Sequence, residues 1–505
     1  MQWRKATEAA AAIAGRWTAE GGPGGAILLF DGSDIRAEAC GGLASLELAL
    51  PFTAETAVRY ASISKHFCAA LVVRLASEGR LSLDDALGTH LPQLAPAQAG
   101  VTIARALDMT GGLPDALETM WLLGVPWSAS IDRASLLSFA ASVDALNFPS
   151  GSEVSYSNTG YRLVEAALSG LGIPYGETLH ARFFRPMGLS IRLPEDESEP
   201  VPALAAGYYR TPAGWRRGRY GLQFSPSGGL AGSATDLVAW LQALMTRRVP
   251  VEDLLAPLGA RRHLTDGRVT GYGLGLARSP LDGEIAIGHG GALPGYRTQF
   301  LLLPAHGVGV AVLSNREDTD AHGIALTVLA ALTGAPAPES ASGILPQGLF
   351  VAEDGPFWIE HQAGELTFLG ATETLIRAED GSAVSRSANL PMSLRYAGDA
   401  IEGEIGHVAH RFRPVPPDAE VSADLVGTWV CPARNGRFDI TPGGFLAFGT
   451  GPLHTTLPLT ALGDRSVLAE HTEGPRRQRA CLALEGNDTL RVFTNRSRVL
   501  RFRRA

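Results

Sequence analysis

Hydrophobic positions along the chain change their spacing once, near residue 348. Before it, apolar runs with helical spacing, such as KHFCAALVVRLASEG and TDLVAWLQALMTRR, mix with continuous apolar runs such as GAILLFDG and VGVAVLSN. After it, short segments of alternating apolar and polar residues, including GPFWIEHQAGELTFLG and GRFDITPGGFLAFG, are separated by turn signals. The pattern therefore predicts an α/β or α+β region followed by an all-β region.

Two stretches rich in Pro, Ala and Ser divide the chain further, LTGAPAPESASGILPQG and RPVPPDAEVSADL. The segments that begin at Gly348 and Gly427 also repeat a similar order of strands and glycines, which favours a pair of small antiparallel barrels. The predicted organisation is a first domain over 1–333, a linker over 334–347, a barrel over 348–413, a linker over 414–425 and a second, lipocalin-like barrel over 426–505.

Composition excludes several classes of partner. The chain has 505 residues, 45% of them hydrophobic, and a net charge of −8, so neither nucleic acid nor an anionic membrane is expected to bind it. The Arg-rich end RVFTNRSRVLRFRR is a local exception, and its alternating apolar residues predict a last strand with one solvated face.

The N-terminus has Glu8 within a weak apolar stretch, so we expect a surface helix, no signal peptide and a cytoplasmic protein.

The four cysteines, at 40, 68, 431 and 481, are far apart and form no C-x-x-C pair. They predict free thiols rather than a metal site or a disulfide framework. We therefore expect the protein to work without a metal or an organic cofactor.

Positive charge is almost entirely arginine, and Lys5 and Lys65 are the only lysines. Lys65 follows Ser62 by three positions at the start of an apolar helical run, so the two side chains can meet at a helix N-terminus. A buried lysine can lose its proton and act as a base, whereas an arginine stays charged. A surface lysine beside a Ser N-cap would give the same tetrapeptide, because S-x-x-K is short and common.

Two further motifs follow in order. Tyr156 and Asn158 lie in FPSGSEVSYSNTGYRLVEAALSG, just before another apolar helix. His289 follows a short apolar strand in EIAIGHGGALPGYRT and precedes two glycines, where a substrate backbone can come close. Together the three motifs favour catalysis over a purely structural role.

With these motifs, residues 1–333 resemble the serine β-lactamase and penicillin-recognising hydrolases, peptidase family S12, which carry S-x-x-K, Y-x-N and K/H-x-G elements. The segments LDMTGGLPD, SPSGGLAGSATDLVAWL and GYGLGL are also typical of the family. The resemblance implies an α/β catalytic domain, with an antiparallel sheet flanked by helices and an all-α subdomain, followed by the two barrels.

The resemblance also implies roles for individual residues. Ser62 would be the acylated nucleophile, Lys65 its base, and Tyr156 the group that passes the proton to the leaving group and activates water. Asn158 would hold the substrate amide, and His289 would replace the usual lysine of the third motif. The oxyanion hole would combine the N–H of Ser62 with one from the strand after His289, at Gly291 and Ala292.

Over its whole length the chain is similar to bacterial D-stereospecific aminopeptidases, in which an acidic residue on a loop of the last barrel binds the substrate's free amino group. The expected substrate is a small peptide or amide with a free D-amino terminus, most simply D-Ala. In the region 462–480, Glu473 is the first candidate for the acidic residue, with Glu470 and Asp464 behind it. The resemblance also implies a homodimer and an active site open to inhibition by β-lactams.

Two alternatives remain open at this point. One is an esterase or DD-peptidase on the same fold, with the barrels as structural appendages. The other, from a different class, is a non-catalytic protein that binds peptidoglycan fragments.

Overall fold

The computed structural model describes residues Met1–Ala505. The chain forms two compact units. Unit 1 comprises Met1–Gly111, Ser128–Ala141 and Gly160–Pro338, and unit 2 comprises Gly112–Trp127, Ser142–Thr159 and Glu339–Ala505. Two short segments from the first part of the chain therefore belong to the same unit as the C-terminal strands.

A six-stranded antiparallel sheet forms the centre of unit 1, and its first and last strands in the sequence are neighbours in space. Its strands, in order across the sheet, are Ala277–Leu281, Glu284–Leu293, Tyr296–Leu303, Val308–Ser314, Gly25–Asp31 and Ile35–Gly41. Both faces of the central strands are covered, which explains why VGVAVLS is apolar at every position rather than alternating.

The remaining strands of unit 1 are two to four residues long. They are Leu43–Ser45, Leu50–Pro51, Val58–Arg59, Tyr208–Thr211, Gly214–Arg217, Ala231–Gly232, Arg262–His263 and Val269–Thr270. The α-helices of the chain are Trp3–Ala19, Ser64–Ser77, Leu87–His90, Pro96–Ala99, Ile103–Leu107, Ala116–Leu122, Arg133–Ala141, Thr159–Gly170, Tyr175–Leu179, Arg185–Met187, Ala234–Met245, Leu255–Gly259 and Ala321–Thr333.

Helices cover the sheet according to their apolar faces. The first and last helices, Trp3–Ala19 and Ala321–Thr333, pack one face of the sheet in a single hydrophobic cluster. The helix Ser64–Ser77 is instead surrounded on all sides, with ten buried residues, and Phe67 lies 4.6 Å from Trp240, ring centroid to centroid. A helix that is apolar around its whole circumference belongs in the interior, and this one carries the S-x-x-K motif into the core.

The C-terminal part of unit 2 consists of two closed antiparallel barrels of eight strands each, as the alternating pattern predicted. The first barrel contains Gly348–Ala352, Trp358–Gln362, Glu365–Phe368, Ala371–Arg377, Ala383–Ser385, Met392–Ala397, Ala400–Ile405 and Val408–Pro414. The second contains Gly427–Cys431, Gly436–Ile440, Phe445–Phe448, Thr455–Gly463, Ser466–Glu473, Arg476–Glu485, Thr489–Phe493 and Leu500–Arg504. Closure leaves neither barrel with an unpaired edge.

The two barrels share part of their cores. Leu468 and Cys481 of the second barrel pack in one cluster with Trp358 and Phe368 of the first. Trp121 belongs to one of the two inserted segments and packs against the core of the second barrel. No helix of the chain combines the length and apolar character needed to cross a membrane.

Candidate active site

Ser62 and Lys65 meet at the N-terminal end of the buried helix. Ser62 lies in a short 3₁₀ turn, Ala61–Ile63, and the α-helix begins at Ser64. The Lys65 Nζ donates a hydrogen bond to the Ser62 Oγ at 3.1 Å, and a second, short one to the carbonyl of Ser227. Lys65 has no exposed surface. The ammonium group is therefore surrounded by protein rather than by bulk water.

The Lys65 ammonium also lies 5.3 Å from the centre of the Tyr161 ring. Such a contact between a cation and an aromatic face compensates part of the solvation that burial removes. Lys65 is thus held by a hydroxyl, a carbonyl and a ring face around its ammonium group.

The backbone before the nucleophile is tightly constrained. Ala61 has a left-handed conformation with φ of +52°, which costs a residue other than glycine about 1 kcal/mol or more. The carbonyl of Tyr60 accepts a hydrogen bond from Thr298 Oγ1 at 2.8 Å. A Cβ on Gly291 would lie only 2.3 Å from that carbonyl oxygen. The strand Glu284–Leu293, which carries Gly291, therefore approaches the turn before Ser62 at a distance that only glycine permits.

This close approach concerns the predicted oxyanion hole. Gly291 and Ala292 lie on the strand Glu284–Leu293, and Gly291 packs directly against the residues that precede Ser62. Ala292 is exposed. The strand and the turn that holds Ser62 thus lie side by side, and the oxyanion hole itself stays a prediction.

His289 is on the same strand and is buried, with 2% of its surface exposed. Its Nδ1 lies 2.5 Å from the Gly290 carbonyl, and its Nε2 lies 2.8 Å from the Tyr272 hydroxyl. Because a carbonyl can only accept, Nδ1 carries the proton and Nε2 accepts from Tyr272. Burial lowers the pKa of His289 to about 3, and the nearby Lys65 charge acts in the same direction. The imidazole is therefore neutral at physiological pH.

A second neutral histidine follows Lys65. The Nε2 of His66 accepts from the Trp240 Nε1 at 2.8 Å, and its Nδ1 lies 2.5 Å from the Ile63 carbonyl. Burial lowers the pKa of His66 to about 3. A Cβ on Gly275, which has φ of +75°, would lie 2.8 Å from the His66 Cα, so the GYGLGL segment also fits closely against this helix.

Tyr156 and Asn158 belong to unit 2. One carboxylate oxygen of Asp115 accepts from both the backbone N–H and the side-chain amide of Asn158, each at 2.8 Å. The other oxygen caps the helix Ala116–Leu122 by accepting from the N–H groups of Leu117 and Glu118. Asp115 thus fixes which end of the Asn158 amide is the nitrogen, and this residue was not foreseen from the sequence.

A second unforeseen residue lies at Tyr156. The guanidinium carbon of Arg496, in the second barrel, is 4.9 Å from the centre of the Tyr156 ring. The Arg-rich end was predicted as a strand with one solvated face, and the strand Leu500–Arg504 does alternate in this way. The residues before it behave differently, because Arg498 is 6% exposed and its Nη1 binds Glu153 at 2.9 Å. The contacts of Arg496 with Tyr156 and of Arg498 with Glu153 could not be predicted from this polar, Arg-rich segment.

Glu473 lies at the end of a strand in a tight hairpin whose turn is Gly474–Pro475. Its carboxylate accepts from the backbone N–H of Trp127 at 2.8 Å. Glu470, the second candidate, is bound by Arg477 through two contacts of 2.7 Å and by Arg479 at 3.1 Å. These two arginines lower the pKa of Glu470, the Arg477 contact most strongly, and neutralise its charge.

Asp464, the third candidate, is exposed in the turn before the strand Ser466–Glu473. The structure thus places Ser62, Lys65, His289, Gly291 and Ala292 in unit 1, and it places Tyr156, Asn158 and Glu473 in unit 2. No group of three or more His, Cys, Asp or Glu side chains within Met1–Ala505 is arranged to hold a metal ion.

Known proteins resemble this chain over much of its length. The model of the β-lactamase family matches residues 9–335. The chain is 27% identical to a D-aminopeptidase of Gluconobacter oxydans over 331 residues, which is 65% of this chain and 62% of that relative. It is 26% identical to a D-aminopeptidase of Cereibacter sphaeroides over 464 residues, which is 87% of this chain and 86% of that relative.

Among solved structures, the octameric penicillin-binding protein homologue from Pyrococcus abyssi aligns with a TM-score of 0.59 and 20% identity, covering 98% of each chain. This likeness extends over both units. The class of protein is thus a β-lactamase-like catalytic domain followed by two barrels, and the fold predicted from the sequence is confirmed. The chain belongs to the β-lactamase family, and the resemblance drawn from its motifs is confirmed.

Proposed function

We propose that this chain is a serine hydrolase that releases an N-terminal D-amino acid, D-alanine first among them, from short peptides, amides or esters. The observation that carries the proposal is the Lys65 ammonium, which is fully buried and lies 3.1 Å from the Ser62 hydroxyl at a helix N-terminus. Support for the substrate class comes from relatives of nearly the same length that are D-aminopeptidases.

Acylation begins when Lys65, in its neutral amine form, takes the proton of Ser62 and becomes an ammonium. The Ser62 Oγ then forms a bond to the carbonyl carbon of the N-terminal residue, and the carbon–nitrogen bond to the next residue breaks. The proton passes through Tyr156 to the departing amine, so that a neutral amine leaves. The N–H groups of Ser62 and Ala292 stabilise the oxyanion, each by about 3 kcal/mol in comparable enzymes.

Deacylation reverses these roles. Tyr156 accepts a proton from water, the hydroxide attacks the ester carbonyl, and Ser62 recovers its proton as the D-amino acid departs. Asn158 holds the substrate amide with an orientation set by Asp115. His289 supplies no positive charge, because its imidazole is neutral, which favours a substrate that carries no carboxylate at that position.

Recognition of the free amino group is assigned to Glu473. Among the three acidic candidates, Glu470 is already neutralised by two arginines. The Glu473 carboxylate accepts a hydrogen bond from the backbone N–H of Trp127, which fixes its position at the hairpin. A carboxylate that binds an ammonium while the hairpin blocks longer acyl groups would confine the enzyme to N-terminal residues.

We place the enzyme in the cytoplasm as a homodimer, without a metal or organic cofactor, and we expect β-lactams to acylate Ser62. Intact mass measurement after incubation with a penicillin tests the last point, since a Ser62→Ala variant should gain no adduct.

A hydrolysis panel of D-alanine, L-alanine and N-acetyl-D-alanine p-nitroanilides tests the proposed function. The D-alanine compound should turn over fastest, and the other two should be at least about tenfold slower, the discrimination expected from one lost or misplaced substrate contact. Equal rates for the blocked and free compounds would favour an esterase or DD-peptidase, and equal rates for D and L forms would remove the assigned stereochemistry. Unchanged activity in Ser62→Ala would favour the alternative of a non-catalytic protein that binds peptidoglycan fragments.

A further inference from the structure

The loop that joins the last two strands of the second barrel, residues 494–499, is bound to the segment that carries Tyr156. The carbonyl of Arg496 accepts from the Asp115 backbone N–H at 2.7 Å and from the Asn147 side-chain amide at 2.9 Å. The carbonyl of Asn495 accepts from the Ser155 hydroxyl at 3.2 Å. The loop backbone therefore supports Ser155, which precedes Tyr156, and Asp115, which in turn holds Asn158.

Side chains of the same loop add further bonds. Ser497 and Thr119 share a hydrogen bond of 2.7 Å between their hydroxyls. Thr494 donates a short hydrogen bond to Glu118. These side chains are all at least partly buried, so the bonds are shielded from competition by water. The loop is thus a fixed part of unit 2.

The guanidinium of Arg496 lies over the face of the Tyr156 ring, with its central carbon 4.9 Å from the ring centre. Tyr156 is 8% exposed, and the Arg496 side chain is 33% exposed. The Arg496 Nε lies 3.7 Å from a carboxylate oxygen of Glu118. A cation at this distance attracts the electron-rich ring and stabilises negative charge on the phenol oxygen.

We propose that Arg496 is a positioning residue, whose guanidinium holds the Tyr156 ring and favours its deprotonated form. The inference rests on the proposed function, since it gives the proton-transfer step of Tyr156 a partner from the last barrel. It also makes that barrel part of the catalytic apparatus through residues 494–499.

Three carboxyl groups, those of Glu118, Asp115 and Glu373, interact electrostatically with Arg496. Burial raises the pKa of Glu373 to about 8, so this carboxyl is largely neutral at pH 7 even though Arg386 and Arg496 act against the shift. Burial also raises the pKa of Glu118, against the opposing charge of Arg496. The Asp115 carboxylate accepts from four N–H groups, and its charge raises the pKa of Arg496.

The guanidinium itself remains protonated. Burial lowers the pKa of Arg496, but Glu118 and then Asp115 raise it by more, and the net shift is upward. The positive charge over Tyr156 is therefore present at every pH at which the enzyme can work.

The test is the pH dependence of kcat/KM for Arg496→Gln, measured on D-alanine p-nitroanilide and, in parallel, on p-nitrophenyl acetate. Loss of the cation should shift the rise of kcat/KM with pH to a pH about one unit higher. The variant should therefore have about tenfold lower kcat/KM at pH 7, and its kcat/KM should recover at alkaline pH. Arg496→Lys, which keeps the charge, should retain most of the wild-type profile. Arg503→Gln removes the same charge from an exposed position of the same barrel and should leave the profile in place.

A loss of activity by the same factor at every pH, or an unshifted limb in Arg496→Gln, would overturn the inference. The deprotonation of Tyr156 can also be followed by ultraviolet absorbance as the pH rises, with Tyr156→Phe as the reference. This measurement needs no activity, so it decides the question even for a variant with little turnover. The proposed function fails if the wild type hydrolyses p-nitrophenyl acetate but hydrolyses neither D-alanine p-nitroanilide nor any other D-aminoacyl anilide. The ester profile would still decide the role of Arg496.

Discussion

Asp115 holds Asn158 by two hydrogen bonds to a single carboxylate oxygen, one from the backbone N–H and one from the side-chain amide, each 2.8 Å long. The same carboxylate caps a helix with its other oxygen. Asp115 has no exposed surface, so its carboxylate is shielded from water, whereas Asn158 is half-buried. The amide predicted to hold the substrate is thereby fixed before any substrate arrives.

Replacing Asp115 should affect both stability and activity. Asp115→Ala leaves two helix N–H groups and the Asn158 donors without their acceptor, and we expect a loss of about 2 to 3 kcal/mol in the free energy of unfolding. We also expect kcat/KM to fall at least about tenfold, since a loosely held Asn158 positions the substrate poorly. Urea unfolding and steady-state kinetics check the two effects. Asp132→Ala, at an exposed helix start where Asp132 accepts from Ser135, is the matched control and should leave kcat/KM unchanged.

Replacing Lys65 by arginine should preserve the fold and abolish most of the turnover. Arginine keeps the positive charge but cannot act as a base near neutral pH, so kcat should fall by at least about a hundredfold. Burst kinetics with a D-alanine ester measure the acylation step directly. A soluble Lys65→Arg enzyme that is acylated at nearly the wild-type rate would show that Lys65 is not the base for Ser62.

Glu473→Gln should raise KM for substrates with a free D-amino group by about tenfold or more and leave N-acetylated substrates unaffected. The reason is the loss of one charge opposite the substrate ammonium, in a position where the amide can still accept from Trp127. Glu470→Gln is the control on the same hairpin, because its carboxylate is occupied by Arg477 and Arg479. Equal effects of the two variants, or a change confined to kcat, would remove Glu473 from substrate recognition.

The two buried histidines predict how stability depends on pH. His66 and His289 have pKa values lowered to about 3 in the folded state, below the ordinary value of 6.5. Below pH 6.5 the unfolded chain binds these protons and the folded chain does not, so stability is full above 6.5 and falls as the pH drops toward 3. Each histidine contributes a slope of about 1.4 kcal/mol per pH unit in that window.

Chemical unfolding between about pH 7 and pH 4, a range that spans the ordinary titration of histidine, measures this slope. His289→Gln should flatten this slope by the share of one histidine, and His454→Gln, at an exposed position, is the matched control. Activity should show no inflection from His289 near its ordinary pKa of 6.5. A slope that is the same in His289→Gln and in the wild type would contradict the burial of a neutral imidazole.

Features formed within one element could be predicted from the sequence. Ser62 and Lys65 are three positions apart on the same helical turn, so their contact follows from helix geometry alone. The barrels were predictable for a similar reason, because the period of two in their strands repeats in every segment after Gly348.

Features that depend on long-range register could not be predicted. Arg479 lies opposite Glu470 because of the pairing of two strands, and this pairing decides that Glu470 is held by arginines. Asp115 and Arg496 come from segments far apart in the sequence, and each meets the Y-x-N segment only after the chain has folded. Their residue types are equally common on solvated surfaces, so no local pattern distinguished them.

The most direct test of the central claim is the mass of the intact enzyme, quenched during turnover of a D-alanine ester. The wild type should gain one D-alanyl group, peptide mapping should place this group on Ser62, and Ser62→Ala should gain none. An adduct on another residue, or active wild-type enzyme that never carries one, would contradict the acyl-enzyme on Ser62.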